Sequence, residues 1–181
     1  MSLFLATLLL GLFLVLLGAL LLPEVPLVVA TLKALPRSTL ASFVLFGGGM
    51  LWFLVLVANM SDADRVFGSS NVPWVIGFAA LGALSLKYVP DFLAVRGISV
   101  LILLAAWPLL RAAFMKYDVP QRLFMVSFVF AAIAAALYLA AVPYRLRDFF
   151  QWLFARPARA RMLGGGLLAY GFLLIVVAFT Y

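Results

Sequence analysis

Long apolar segments separated by short polar connections dominate this sequence. Six of them approach the roughly 20 residues that an α-helix needs to cross the hydrocarbon core of a membrane. They are Leu3–Leu22, Leu40–Ala58, Trp74–Val89, Phe92–Phe114, Phe124–Val142 and Leu163–Thr180. The pattern predicts an all-α polytopic membrane bundle of about six transmembrane helices, the first of them retained rather than cleaved. The third segment is short, and the third and fourth could instead form a shallow or re-entrant pair.

Two shorter segments have the periodicity of amphipathic helices. In the later one the apolar residues fall at i, i+3, i+4, i+7 and i+8, which is one helical face: Leu146, Phe149, Phe150, Leu153 and Phe154. The earlier one repeats nearly the same spacing: Val25, Val28, Val29, Leu32 and Leu35. Such helices lie in the membrane interface. Pro36 and Pro157 are expected to end them, because proline lacks an amide donor.

The amphipathic segments belong to two stretches that resemble each other, Pro23–Ala58 and Pro143–Ala178. Each continues from a proline through the amphipathic segment, a proline near arginine, a glycine triplet and an apolar segment. We therefore predict a single membrane domain, 1–181, with an internal repeat of helical hairpins at 1–58 and 123–181 around a central helix pair at 74–114. Both hairpins run in the same predicted direction, as in a parallel repeat. The alternative is chance similarity between apolar sequences of low complexity.

The charge distribution predicts an orientation. The chain is 68% hydrophobic and 10% charged, so lipid must solvate most of it. Nine of its 13 basic residues follow the first, third and fifth segments: Lys33, Arg37, Lys87, Arg96, Arg145, Arg147, Arg156, Arg159 and Arg161. The other four are Arg65, Arg111, Lys116 and Arg122. The positive-inside rule then predicts that the first, third and fifth connections face the cytoplasm and that both termini face outward. Without a soluble basic domain, nucleic-acid binding is not expected.

The second stretch resembles the small two-helix bacterial inner-membrane proteins of the YjeT-like family. The resemblance rests on Pro143, the segment Arg145–Arg156, Pro157 with Arg159 and Arg161, and Gly164–Gly166. The first stretch is similar at Leu35–Arg37 and Phe46–Gly49, with fewer basic residues. The resemblance covers the two ends of the chain and not 72–119. It implies a helical hairpin in the inner membrane and supplies no activity and no functional residue.

The residues needed for most catalytic chemistry are missing. The chain has no cysteine and no histidine, which excludes disulfides, thiolate chemistry and histidine-based catalysis or metal binding. The six acidic residues fall in predicted connections or at segment ends: Glu24, Asp62, Asp64, Asp91, Asp118 and Asp148. No paired intramembrane carboxylates and no mid-membrane acid for proton coupling are therefore expected. We predict no catalytic residue, no metal site and no cofactor.

Two sets of residues remain as candidates for contacts. The five arginines of the fifth connection either reflect the positive-inside rule alone or bind anionic lipid or an acidic partner: Arg145, Arg147, Arg156, Arg159 and Arg161. The two glycine triplets are expected to serve close helix packing: Gly47, Gly48, Gly49, Gly164, Gly165 and Gly166. Neither triplet is followed by the Gly-Lys-Ser/Thr of a phosphate-binding loop. A lipid headgroup near Gly164–Gly166 is the lesser alternative.

Three functions remain open from the sequence. The first is a non-enzymatic scaffold or accessory subunit, in contact with lipid and with a membrane-protein partner or a second copy. The second is a small-molecule or lipid transporter, which requires a polar cavity between the repeated hairpins. The third is a lipid-modifying enzyme that uses the arginines of the fifth connection with Asp148 or Asp91. It requires a carboxylate that points into an arginine-lined pocket.

Overall fold

The structure, a computed structural model, describes residues 1–64, 70–89 and 91–181. Each apolar segment forms a helix: α1 (Leu3–Leu21), α3 (Thr39–Ala58), α4 (Val72–Tyr88), α5 (Leu93–Ala113), α6 (Arg122–Ala141) and α8 (Pro157–Ala178). Each amphipathic segment forms a shorter helix: α2 (Pro26–Ala34) and α7 (Tyr144–Leu153). The predicted all-α bundle is confirmed. The charge at Arg65 lies outside the described residues.

Five of these helices, all except α2, α4 and α7, are long and apolar enough to cross a membrane. The fourth helix, α4, has 17 residues and is shorter than such a span. Only 17% to 33% of each spanning window is buried inside the protein, so most of its apolar surface faces outward. Lipid is the environment in which that surface is stable, because exposing apolar side chains to water raises the free energy of the protein.

Helices α1 and α8 pack antiparallel through four glycines. Gly11 lies opposite Gly171 and Gly18 lies opposite Gly164, so the order is reversed between the two helices. A Cβ atom added to Gly18 would lie 2.6 Å from the Gly164 carbonyl oxygen. A Cβ atom added to Gly171 would lie 2.8 Å from the Gly11 carbonyl oxygen. The two backbones are therefore in direct contact, which the absence of a side chain at these four glycines allows.

The chain termini lie together above a shared core. Phe4 and Phe179 pack edge to face with ring centroids 5.5 Å apart. The Thr7 hydroxyl donates to the Leu3 carbonyl at 3.0 Å and lies 3.3 Å from the Tyr181 hydroxyl. Side chains from α1, α5, α6 and α8 fill the adjacent core: Leu3, Ala6, Leu14, Ala106, Ala112, Ala113, Met125, Val129 and Leu174. The N-terminal end of α1, the C-terminal end of α5 and both chain termini thus share one end of the bundle.

Helix α5 packs against both α3 and α6. It contacts α3 where the backbone of that helix widens into a π-helical turn at Ser42–Phe46. A Cβ atom on Gly97 would overlap the backbone of Leu45 and Phe46, so glycine allows this contact. Helix α4 packs on the other side of α3, where Gly82 lies against Met50.

Helix α8 begins at Pro157, six residues before the predicted Leu163. The prediction placed Pro157 at the end of the amphipathic helix, but α7 ends at Leu153, before it. Proline suits the first helical position, because its missing amide has no partner there in any case. The first turns of α8, Pro157–Met162, are rich in arginine. A prediction from hydropathy therefore places the start of the helix too late. Pro36 is buried in a 3₁₀ turn, Leu35–Arg37, that leads to α3.

Candidate anion-binding groove

Helices α2 and α7 meet at the end of the bundle opposite the chain termini. Helix α7 buries Leu146 and Leu153 against the bundle, whereas Arg145 is exposed and Arg147 and Asp148 are partly exposed. Helix α2 has no buried residue and carries Lys33 in its last turn. The two amphipathic helices, which come from opposite ends of the sequence, therefore lie side by side at one end of the bundle.

An open groove of about 610 Å³ lies between these two helices. Its walls come from the end of α2, the turn that follows it, the start of α3, and α7: Lys33, Ala34, Pro36, Arg37, Ser38, Thr39, Arg147 and Gln151. Three of these residues are cations: Lys33 comes from α2, Arg37 from the turn that follows it, and Arg147 from α7. Among the described residues that line the groove there is no carboxylate. The groove is therefore electropositive.

The three cations differ in how they are held. The Lys33 ammonium lies 5.9 Å from the centroid of the Phe154 ring, and the Arg37 guanidinium lies 5.5 Å from that of Phe92. Within the described part of the chain neither cation has a carboxylate within ion-pairing distance. Aromatic faces orient a cation without neutralising it. Both charges therefore remain available to an anion.

Arg147 is the third cation, and it has an acidic neighbour. Its Nε and Nη2 atoms donate to one oxygen of Asp148 at 3.0 and 2.8 Å. Both side chains are partly exposed, so the pair contributes little to stability. The pair does fix the guanidinium at the groove wall with donors left over, since guanidinium carries five N–H groups.

Two hydroxyl groups extend the polar lining. Ser38 caps α3, and its hydroxyl oxygen accepts a hydrogen bond from the Ala41 amide at 3.2 Å. A hydroxyl can still donate its own proton while it accepts. Thr39 follows as the first residue of α3. The groove thus offers cations and neutral donors together, a combination suited to the oxygens of a phosphate.

Of the five arginines predicted as lipid or partner contacts, Arg147 alone lines this groove. Arg145 lies over the Tyr144 ring at 5.7 Å, and Arg156 is exposed. Arg159 donates to the Trp152 carbonyl at 2.8 Å and stacks over the indole at 4.5 Å. Arg161 pairs with Glu24 at 3.1 Å. The structure therefore distributes these arginines over one face rather than gathering them at one site.

The groove also contains two cations that sequence reasoning had left out of the candidate site, Lys33 and Arg37. In the sequence, both residues contribute only to the charge distribution that predicts orientation. The one available hint was that the amphipathic segments were predicted to lie on the same side of the membrane. Nothing in the spacing of either segment indicated that α2 and α7 would touch, because that contact depends on how the terminal helices pair.

The glycine triplets place one residue each in a helix contact. A Cβ atom on Gly49 would lie 3.2 Å from Val100 of α5, and one on Gly164 would lie 3.0 Å from the Gly18 carbonyl oxygen of α1. A Cβ atom on any of the other four would meet nothing within 4 Å: Gly47, Gly48, Gly165 and Gly166. Both triplets lie about two turns inside their helices, away from the helix start where a headgroup would bind.

The carboxylates that an enzyme would need lie outside the groove. Asp148 binds Arg147, and Asp91 is exposed at the start of the segment before α5. In the part of the chain that the structure describes, no group of three or more acidic side chains could hold a metal ion. The groove therefore presents cations and hydrogen-bond donors, and no carboxylate is found among the described residues that line it.

No family model, curated protein or solved structure matches this chain. The resemblance to the YjeT-like family and the internal repeat stay predictions. The fold defines the class: a helical membrane protein with several helices able to span the bilayer and a basic surface at one end.

Proposed function

We propose that this chain is a non-enzymatic scaffold or accessory subunit of the bacterial inner membrane, with α2 and α7 on the cytoplasmic side. The contact that carries the proposal is the glycine-mediated pairing of α1 with α8. It joins the two ends of the sequence and thereby holds α2 beside α7. A protein built this way maintains a fixed surface at the membrane.

A second ion pair supports the same role. Glu24, which has the uncommon φ of 46°, binds Arg161 at 3.1 Å across the two hairpins. The pair lies next to the end of the α1–α8 contact that carries Gly18 and Gly164. Exposed pairs of this kind contribute at most about 1 kcal/mol. Its role is therefore to fix the register of the connections rather than to hold the bundle together.

The same contact weighs against transport between α1 and α8. A path for a solute needs side chains or water between helices, whereas Gly11 and Gly171 bring the two backbones together. The lipid-modifying enzyme is less supported for a different reason, because Asp148 is engaged by Arg147 at 2.8 Å and does not line the groove.

The proposal is tested by purification from membranes in a mild detergent, with mass spectrometry of bound proteins and small molecules. A scaffold is expected to retain a stoichiometric partner protein whose steady-state level falls when this chain is deleted. A tagged chain with Gly18→Leu, which separates α1 from α8, is the matched variant and should lose the partner. A bound solute without any stoichiometric partner would contradict the scaffold and favour transport.

A further inference from the structure

We propose that the groove between α2 and α7 is a binding site for the phosphate of an anionic phospholipid headgroup. The inference goes beyond the scaffold proposal, because it concerns a lipid ligand and would hold with or without a protein partner. Its basis is the convergence of Lys33, Arg37 and Arg147 on one groove of about 610 Å³.

The first argument is the charge that the groove leaves unbalanced. Lys33 and Arg37 rest on the rings of Phe154 and Phe92 and have no carboxylate partner among the described residues. Cations brought together in a groove repel one another, so an arrangement like this is stabilised by an anion between them. A phosphate supplies several acceptor oxygens and pairs well with guanidinium.

The second argument is the setting, which favours a lipid over a soluble phosphate. Large apolar side chains on the elements that form the groove are exposed: Leu27, Leu40, Phe149 and Trp152. Leu40 directly follows Thr39 of the groove wall and begins the apolar part of a helix long enough to cross the membrane. A headgroup in the groove would therefore have its acyl chains beside exposed apolar surface. Tryptophan near the polar face is typical of the headgroup level.

The third argument is that the groove can hold a headgroup but cannot process it. The hydroxyls of Ser38 and Thr39 and the amide of Gln151 complete a lining of hydrogen-bonding groups without a carboxylate. General acid–base chemistry on a phosphate ester requires a group that accepts a proton, and arginine and lysine do not act as such at neutral pH. The lipid is therefore a bound component and not a substrate.

The experiment compares two variants that remove the same charge from the same end of the bundle. Lys33→Gln/Arg37→Gln removes the two unpaired groove cations. Arg145→Gln/Arg156→Gln removes two exposed cations outside the groove. Full-length protein in a neutral detergent is titrated with an equimolar mixture of phosphatidylglycerol and phosphatidylcholine that carry identical acyl chains. Native mass spectrometry then reports which lipid binds first.

The wild type should prefer phosphatidylglycerol. The groove variant should reduce that preference about tenfold, since each of the two exposed cations that it removes is expected to contribute about a threefold change in binding. The control variant should keep it. Equal losses in both variants would indicate diffuse attraction to the basic surface and would overturn the site. No loss in either variant would overturn it as well.

Two competitors distinguish the source of the anion. Glycerol 3-phosphate should displace the lipid only at a large excess, because it lacks the acyl chains. Displacement near stoichiometric concentration would show a site for a soluble phosphate ester and overturn the lipid assignment. Displacement by a hexaglutamate peptide at a lower concentration than by glycerol 3-phosphate would indicate a site for an acidic protein segment and would also overturn the lipid assignment.

If the groove variant shows no cooperative thermal transition, the single variant Lys33→Gln replaces it in the test. Its preference for phosphatidylglycerol should fall about threefold.

Discussion

The α1–α8 contact makes a quantitative prediction at Gly18. A Cβ atom there would lie 2.6 Å from the Gly164 carbonyl oxygen and 2.8 Å from the Leu168 backbone nitrogen. Both neighbours are backbone atoms, which cannot rotate away, so Gly18→Ala must push the two helices apart. Overpacking of this kind costs about 1–3 kcal/mol. Gly166→Ala is the control, because a Cβ atom on Gly166 would meet nothing within 4 Å.

The comparison of the two variants isolates the contact. Each replaces a glycine in a helix and gains the same helix propensity of about 0.5–1 kcal/mol, so that gain cancels in the difference. For a chain of this size, 1 kcal/mol shifts the melting temperature by about 2–4 °C. Gly18→Ala should therefore melt about 2–12 °C below Gly166→Ala. The fluorescence of the four tryptophans in detergent provides the readout.

Equal melting temperatures would refute the close approach of α1 and α8. The double variant Gly18→Ala/Gly164→Ala tests the geometry further. Once the first methyl group has separated the helices, the second has less to displace, so the two costs should sum to less than their separate values. Strict additivity would mean that the two glycines do not face each other.

Three further predictions follow from the other contacts. Gly97→Ala should lower the melting temperature because its methyl group would overlap the backbone of α3, whereas Gly77→Ala, with open space around it, should not. Since the chain has no cysteine, single cysteine substitutions report its orientation in the membrane. An impermeant maleimide should label Lys116→Cys in intact cells but not Ala155→Cys. The reverse labelling pattern would show that the orientation is opposite to the predicted one. Glu24→Gln should change stability by less than about 1 kcal/mol, because its partner Arg161 is largely exposed to solvent, and a larger loss would contradict this estimate.

The sequence was most informative about which segments form helices, because a long apolar segment indicates residues that lie in lipid. All six apolar segments form helices, and α7 follows the predicted periodicity with Leu146 and Leu153 buried. The main boundary error, at Pro157, arose where a helix continues into a basic turn. Hydropathy indicates the part of a helix that lies in the hydrocarbon core of the membrane. It does not detect polar helical turns that extend beyond that core.

The sequence could not predict which helices touch. Gly11 and Gly18 are isolated glycines in a leucine-rich segment, and no motif in the sequence marks them as contact residues. The two glycine triplets contribute only Gly49 and Gly164 to the contacts between helices. The position of a glycine on the helix circumference decides whether it meets a neighbour, and that depends on the partner. The groove was missed for the same reason, since it exists only because helix pairing brings α2 beside α7.

The pairing of α1 with α8 also has a consequence for biosynthesis. The ribosome must add residues 22–156 between the end of α1 and the start of its partner, α8. At ordinary rates of synthesis this takes roughly 7–27 s. During that interval Gly11 and Gly18 expose backbone to lipid or to the insertion machinery. Chains interrupted before α8 is made should therefore leave the glycine face of α1 without its partner.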